Sequence, residues 1–143
     1  MHTVLLPVDE NVARANRAVD LLTTLPGEAD ELQAVVLNVS EEVKQPWLKE
    51  FESLERRDLD EADVPESVIT AVERLTEYGV ETEMRLEHGD VTEQILAVAD
   101  DVDADQLVMC GRKKSMTGKV LFGSIAQSVL LSTELPVTLL MGD

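Results

Sequence analysis

The chain has 143 residues, enough for one domain that buries roughly two-thirds of its unfolded surface. Its 12 Lys and Arg against 29 Asp and Glu give a net charge of −17, which repels nucleic acid and anionic membrane as bulk partners. No apolar run approaches the roughly 20 residues needed to cross a bilayer, and one cysteine allows no internal disulfide, so the expected compartment is a reducing cytoplasm.

Within the 12 cations, Arg outnumbers Lys, seven to five, and the acids run throughout. This composition suggests adaptation to high salt, because such a chain repels itself when screening is weak.

Residues 3–8 (Thr-Val-Leu-Leu-Pro-Val) form a nearly continuous apolar run, as a central parallel strand requires. Pro7 lacks a donor and belongs at the strand's end. A leader peptide is not expected, since this run contains Pro7 and stops at Asp9. Residues 11–25 follow as a helix with Val12, Ala15, Val19 and Leu22 inward, ended by Pro26-Gly27. Residues 32–39 are the second buried strand. Residues 40–63 are polar and acidic around Trp47, Leu48, Phe51 and Leu54, and read either as a flap on the domain or as part of a partner surface.

Pro65 and Glu66 mark the start of the next helix. Val68, Val72, Leu75 and Tyr78 give its inward face, and Gly79 its cap. Residues 80–87 alternate strictly between Val80, Thr82, Met84, Leu86 and charged neighbours, which predicts a half-exposed strand near an edge. Asp90 with Glu93 fits a capping box before a helix through Ile95, Val98 and Ala99. Residues 107–110 are a buried strand. Residues 124–132 are a short helix with Ile125, Val129 and Leu130 inward, and residues 136–141 are the last strand.

Strands alternating with helices predict an α/β fold, a single domain over residues 1–143 with a flap at about 40–63. The expected core is a doubly wound five-stranded parallel sheet, order 3-2-1-4-5, with helices on both faces. Ligands of such sheets sit beyond the carboxyl ends of the strands, where the order reverses. Here that crevice lies between Asp9, after the first strand, and the loop after the fourth.

That loop is basic. Arg112, Lys113, Lys114 and Lys119 fall within eight residues, and no acid lies between Asp105 and Glu134. A basic loop feeding the helix that begins near Gly123-Ser124 is a sound anion site, since first-turn amides lack intrahelical partners and the dipole favours negative charge. The plainer alternative is a solvated loop balancing an acidic surface, with Ser124 and Gln127 only a capping box. Asp9 has its own alternative as a turn or cap residue, and Val39 by itself reads as core. A carboxylate on one side and a polycationic loop on the other suit a nucleoside polyphosphate.

Together these segments resemble the universal stress protein (UspA-like) family over essentially the whole chain. Val4-Leu-Leu-Pro-Val-Asp9 is similar to the family's opening strand, and Gly89-Asp-Val-Thr-Glu-Gln-Ile95 to its Gly-Asp turn, with Val91 where Pro is usual. Ala104-Asp-Gln-Leu-Val-Met109 and Gly123-Ser-Ile-Ala-Gln-Ser-Val-Leu130, followed by Leu135-Pro-Val-Thr-Leu139, resemble its closing motifs. The resemblance implies a stress-response module that binds ATP, with Mg²⁺, or that forms a non-binding dimeric interaction protein. It places Pro7, Val8 and Asp9 near ribose and base, Val39 and Met109 near the base, and Ser124 with Ile125 at phosphate; Gly111, Arg112, Lys113 and Lys114 of the basic loop, with Gly123, are candidates from charge and spacing instead. It also implies a homodimer through the last strand. Binders in the family carry Gly-x2-Gly-x9-Gly-Ser/Thr. In this chain the last Gly-Ser is intact, while Cys110 and Lys113 replace the first two glycines.

No catalytic constellation, Walker loop or Cys/His metal cluster emerges, so no enzyme is expected, slow ATP hydrolysis or autophosphorylation apart. A phosphoryl receiver needs another Asp at a middle strand's end, and an adenylate-forming enzyme wants a Gly-rich Ser loop where Asp9-Glu10-Asn11 stands. His2 and His88 read as surface histidines. Cys110 reads as a packed thiol, or as one whose pKa the basic loop lowers.

Overall fold

The computed structural model describes residues 1–40, 64–110 and 123–140. In chain order these form β1 (His2–Pro7), α1 (Val12–Leu22), a short 3₁₀ turn (Ala29–Glu31), β2 (Leu32–Ser40), α2 (Glu66–Tyr78), β3 (Glu81–His88), α3 (Val91–Asp101), β4 (Gln106–Cys110), α4 (Ser124–Ser132) and β5 (Val137–Leu140). The proposed flap falls outside the described residues, apart from Ser40, which belongs to β2.

The five strands are parallel and ordered β3-β2-β1-β4-β5, as the alternation predicts. β1 alternates between two cores. Val4, Leu6 and Val8 pack with Ala15, Val19 and Leu22 of α1 and with Val68, Ala71 and Leu75 of α2. Leu5 joins Val35 and Leu37 of β2 on the opposite face, against Ile95 and Val98 of α3 and Ala126 and Val129 of α4. Leu5, Leu6, Leu37, Leu75, Ile95 and Leu107 are fully buried, each contributing about 1.5–3 kcal/mol of transfer free energy. β3 pairs only with β2 in the described sheet and is the charged edge.

Some side chains face otherwise than their spacing predicts. Tyr78, the last residue of α2, is exposed, its hydroxyl donating to the Thr23 carbonyl at 3.0 Å. In α4 it is Ala126 and Val129 that turn inward, while Ile125 and Leu130 are exposed; small Ala126 permits the closer approach. Val12 is only half-buried, and Ala18 takes the inward place beside Val19. Gly79 adopts φ +101°, a left-handed cap whose N–H reaches the Leu75 and Thr76 carbonyls.

The sheet opens where its order reverses. The β1–β4 register runs only through Val4↔Gln106 and Leu5↔Leu107, whereas β1 stays paired with β2 through Pro7↔Leu37. Pro7 has no N–H to extend a ladder. β1 and β4 therefore part over their last residues, and the gap between them is the crevice.

Candidate switch-point cleft

The cleft at this gap has a volume of about 350 Å³, within the range of small-molecule sites. β1 supplies one wall. The Val8 N–H donates to the Leu37 carbonyl at 2.8 Å, and the buried Asn38 Nδ2 donates to the Val8 carbonyl at 2.9 Å. These bonds continue the β1–β2 association past Pro7 and fix the direction in which Asp9 leaves the sheet.

Asp9 is held at three points. Its Oδ1 accepts from the Asn11 N–H at 2.9 Å, an Asx turn. Its Oδ2 accepts from Arg14 Nη1 at 2.5 Å. Its carbonyl accepts from Ser67 Oγ of α2 at 2.6 Å. Asn11, not Asp9, is the side-chain cap of α1, accepting from the Arg14 N–H at 2.9 Å. The carboxylate itself faces the cleft half-exposed.

The opposite wall comes from β4 and α4. Met109 is buried and Cys110 half-buried. The Cys110 thiol donates to the Arg14 carbonyl at 3.4 Å. Burial pushes the thiol's pKa up; Arg17 and Arg14 pull it down and Asp9 pushes it up, and burial prevails. The basic loop, the alternative source of a lowered Cys110 pKa, lies outside the described residues.

α4 begins one residue earlier than a Ser124 capping box requires. Gly123 is the N-cap and has no side chain to cap with, and Ser124 is the first helical residue. The first bond within the helix is from the Gln127 N–H to the Gly123 carbonyl at 3.0 Å. The amides of Ser124, Ile125 and Ala126 thus lack acceptors within the helix, at the wall of the cleft. α1 and α3 differ, being capped by Asn11 and by Asp90, whose Oδ2 accepts from the Glu93 N–H at 3.0 Å. An uncapped N-terminus aimed into a cleft is suited to an anion.

Of the residues singled out from sequence, Pro7, Val8, Asp9, Val39, Met109, Gly123, Ser124 and Ile125 all line this cleft. Gly111, Arg112, Lys113 and Lys114 lie outside the described residues. Arg14, Asn38 and Ser67 were not anticipated. Arg14 had a faint signal, a cation in the first turn of α1 following an acid at the strand's end. Ser67 had none, because its partner is 58 positions away. Among the described residues no group of three or more His, Cys, Asp or Glu could hold a metal. No described helix is long and apolar enough to cross a membrane.

A universal stress protein of Mycolicibacterium smegmatis is 42% identical over 64 residues, 44% of this chain and 49% of that relative, so the aligned part spans about half of the relative's length. A universal stress protein structure from Archaeoglobus fulgidus matches with a TM-score of 0.68 and 25% identity, covering 97% of this chain and 98% of that one. A structure of the universal stress protein from Archaeoglobus fulgidus in complex with dAMP matches at a TM-score of 0.62 and 21% identity, covering 97% of each chain. A universal stress protein in complex with cAMP matches at 0.65 and 20%, covering 98% of this chain and 96% of that one. The Universal stress protein family model matches residues 1–140, and the chain belongs to that family.

Proposed function

We propose that this chain is a nucleotide-binding stress-response module whose ligand, ATP or a related adenine nucleotide, occupies the switch-point cleft. The observation that carries the reading is the uncapped N-terminus of α4 opening on the same cleft as the Asp9 carboxylate. Phosphate would take the amides of Ser124 and Ile125, with Lys113 and Lys114 adding charge from the preceding loop. Ribose hydroxyls would donate to Asp9, and Val39 and Met109 would flank the base. Two of the structural relatives are described with nucleotides bound, dAMP and cAMP, which supports the same class of ligand here. The role assigned is binding and release of nucleotide, in the cytoplasm.

We further propose that the protein is a homodimer through β5. That strand pairs only with β4 among the described strands, and its four residues are all half-exposed. Leu131, near the end of α4, is 81% exposed.

A second reading is favoured by Cys110 and Lys113 at the first two glycine positions. A Cβ at each would keep the backbone from phosphate, leaving a dimeric interaction protein that binds no nucleotide.

Calorimetric titration of ATP, with and without Mg²⁺, into protein held in concentrated KCl separates the two. The nucleotide reading predicts micromolar binding that is lost in the Lys113→Glu, Lys114→Glu variant while its fold persists. Unchanged affinity in that variant contradicts the phosphate role of the loop, and absence of heat from the unmutated protein moves it to the second reading.

A further inference from the structure

Asp9 sets an electrostatic problem for the nucleotide reading. An ionised carboxylate lines the same 350 Å³ cleft that would receive phosphate. Within several ångströms at an effective dielectric of about 20, like charges of this kind weaken binding by roughly tenfold or more. Among the described lining residues, Asp9 and Arg14 are the charged ones.

We propose that Arg14 is a positioning residue that sets the phosphate selectivity of the cleft by neutralising Asp9 and fixing its carboxylate. The proposal rests on the nucleotide reading. Arg14 is tied at both ends of its backbone: its N–H donates to Asn11 Oδ1 at 2.9 Å, and its carbonyl accepts the Cys110 thiol at 3.4 Å. Its guanidinium, about a quarter exposed, reaches Asp9 Oδ2 at 2.5 Å. With Asn11 N–H on Oδ1, the carboxylate is clamped through both oxygens. Each oxygen keeps a further lone pair for a ligand hydroxyl. The clamped pair therefore presents an acceptor to ribose without presenting a net negative charge to phosphate. β4 takes part, since the Cys110 contact anchors the turn of α1 that carries Arg14.

The test is calorimetric titration of ATP and of adenosine, at the lowest KCl that keeps the fold, into the unmutated protein, Arg14→Gln, Arg14→Lys and the double variant Arg14→Gln, Asp9→Asn. Thermal melts by circular dichroism verify each fold. The ratio of ATP affinity to adenosine affinity should fall roughly tenfold in Arg14→Gln and stay near the unmutated value in Arg14→Lys. It should return in the double variant, where Asn still accepts the Asn11 N–H without charge. An unchanged ratio in Arg14→Gln overturns the proposal. So does a ratio that stays low in the double variant, because Arg14 would then touch phosphate itself. If Arg14→Gln does not fold, Asp9→Asn alone decides: the ratio should rise, and a fall overturns the proposal. ATP that fails to bind the unmutated protein defeats the nucleotide reading and this inference with it; ATP that binds with an unmoved ratio defeats this inference alone.

Discussion

Replacing Ser67 by Ala removes one oxygen from a fully buried site and tests how the fold holds the cleft. The Ser67 hydroxyl does not cap its own helix. It crosses to the Asp9 carbonyl at 2.6 Å and ties α2 to the turn between β1 and α1. A neutral hydrogen bond of this kind contributes about 0.5–1.5 kcal/mol net. The Asp9 turn is exposed, so water can replace the lost donor, and the larger penalty for a stranded carbonyl does not apply. Ala is also the better helix former by a few tenths of a kcal/mol. The expected loss is therefore about 0.5–1 kcal/mol, or a melting point lower by about 2–4 °C. Denaturant unfolding in concentrated KCl, followed by circular dichroism, measures it. ATP titration of the same variant should show affinity roughly threefold to tenfold weaker, since a looser turn misplaces Asp9. A variant as stable as the parent with undiminished ATP affinity would refute the reasoning. A loss above about 3 kcal/mol would also refute it, because the carbonyl would then be dry.

Three further outcomes follow. Gly79→Ala forces a Cβ into φ +101°, where the nearest atom, Ala29 Cβ, leaves ordinary contact distance at 3.7 Å; backbone strain alone should cost about 1–2 kcal/mol in denaturant unfolding. The Cys110 thiol, its pKa raised chiefly by burial, should react with a maleimide more slowly than free cysteine at pH 7 to 8. A raised pKa means less thiolate at a given pH, so its rate should keep climbing above the usual cysteine range, and saturating ATP should slow it further; fast labelling at pH 7 that ATP leaves untouched contradicts both points. The net charge of −17 predicts an unfolding midpoint that rises with KCl, and a midpoint that falls would remove the high-salt reading.

The sheet was legible because its strands are buried on both faces and leave continuous apolar runs. The run at residues 3–8 and the run at 32–39 became β1 and β2 within a residue at each end, and the bounds of the helix from Ser124 to Ser132 agree, though its cap and its buried face do not. Helix faces were less legible, because a small residue can turn inward in place of a large one. Ala18 and Ala126 do so, at the expense of Val12 and Ile125. At the site, Asp9 and Ser124 were placed by their positions at element ends, which the chain reveals locally. The clamp on Asp9 was not legible in the same way. Its supports come from other elements, Ser67 on the Asp9 carbonyl, Asn38 on the Val8 carbonyl and Cys110 on the Arg14 carbonyl, and such contacts exist only once the crossovers have brought β1 between β2 and β4. The glycine pattern singled out Gly123-Ser124, and what the structure adds there is a helix start with no capping side chain, since Gly123 is the N-cap.

The central claim is that nucleotide enters at the point where the strand order reverses. Its most direct measurement is an amide ¹H–¹⁵N correlation spectrum of the labelled protein, titrated with ATP and Mg²⁺ in concentrated KCl. The account predicts that the largest shifts fall on Asp9, Val39, Cys110 and the first-turn amides Ser124, Ile125 and Ala126, while Gly27 and Tyr78 at the opposite end of the sheet stay still. A spectrum that does not move, or shifts gathered around Gly27 and Tyr78, would contradict it.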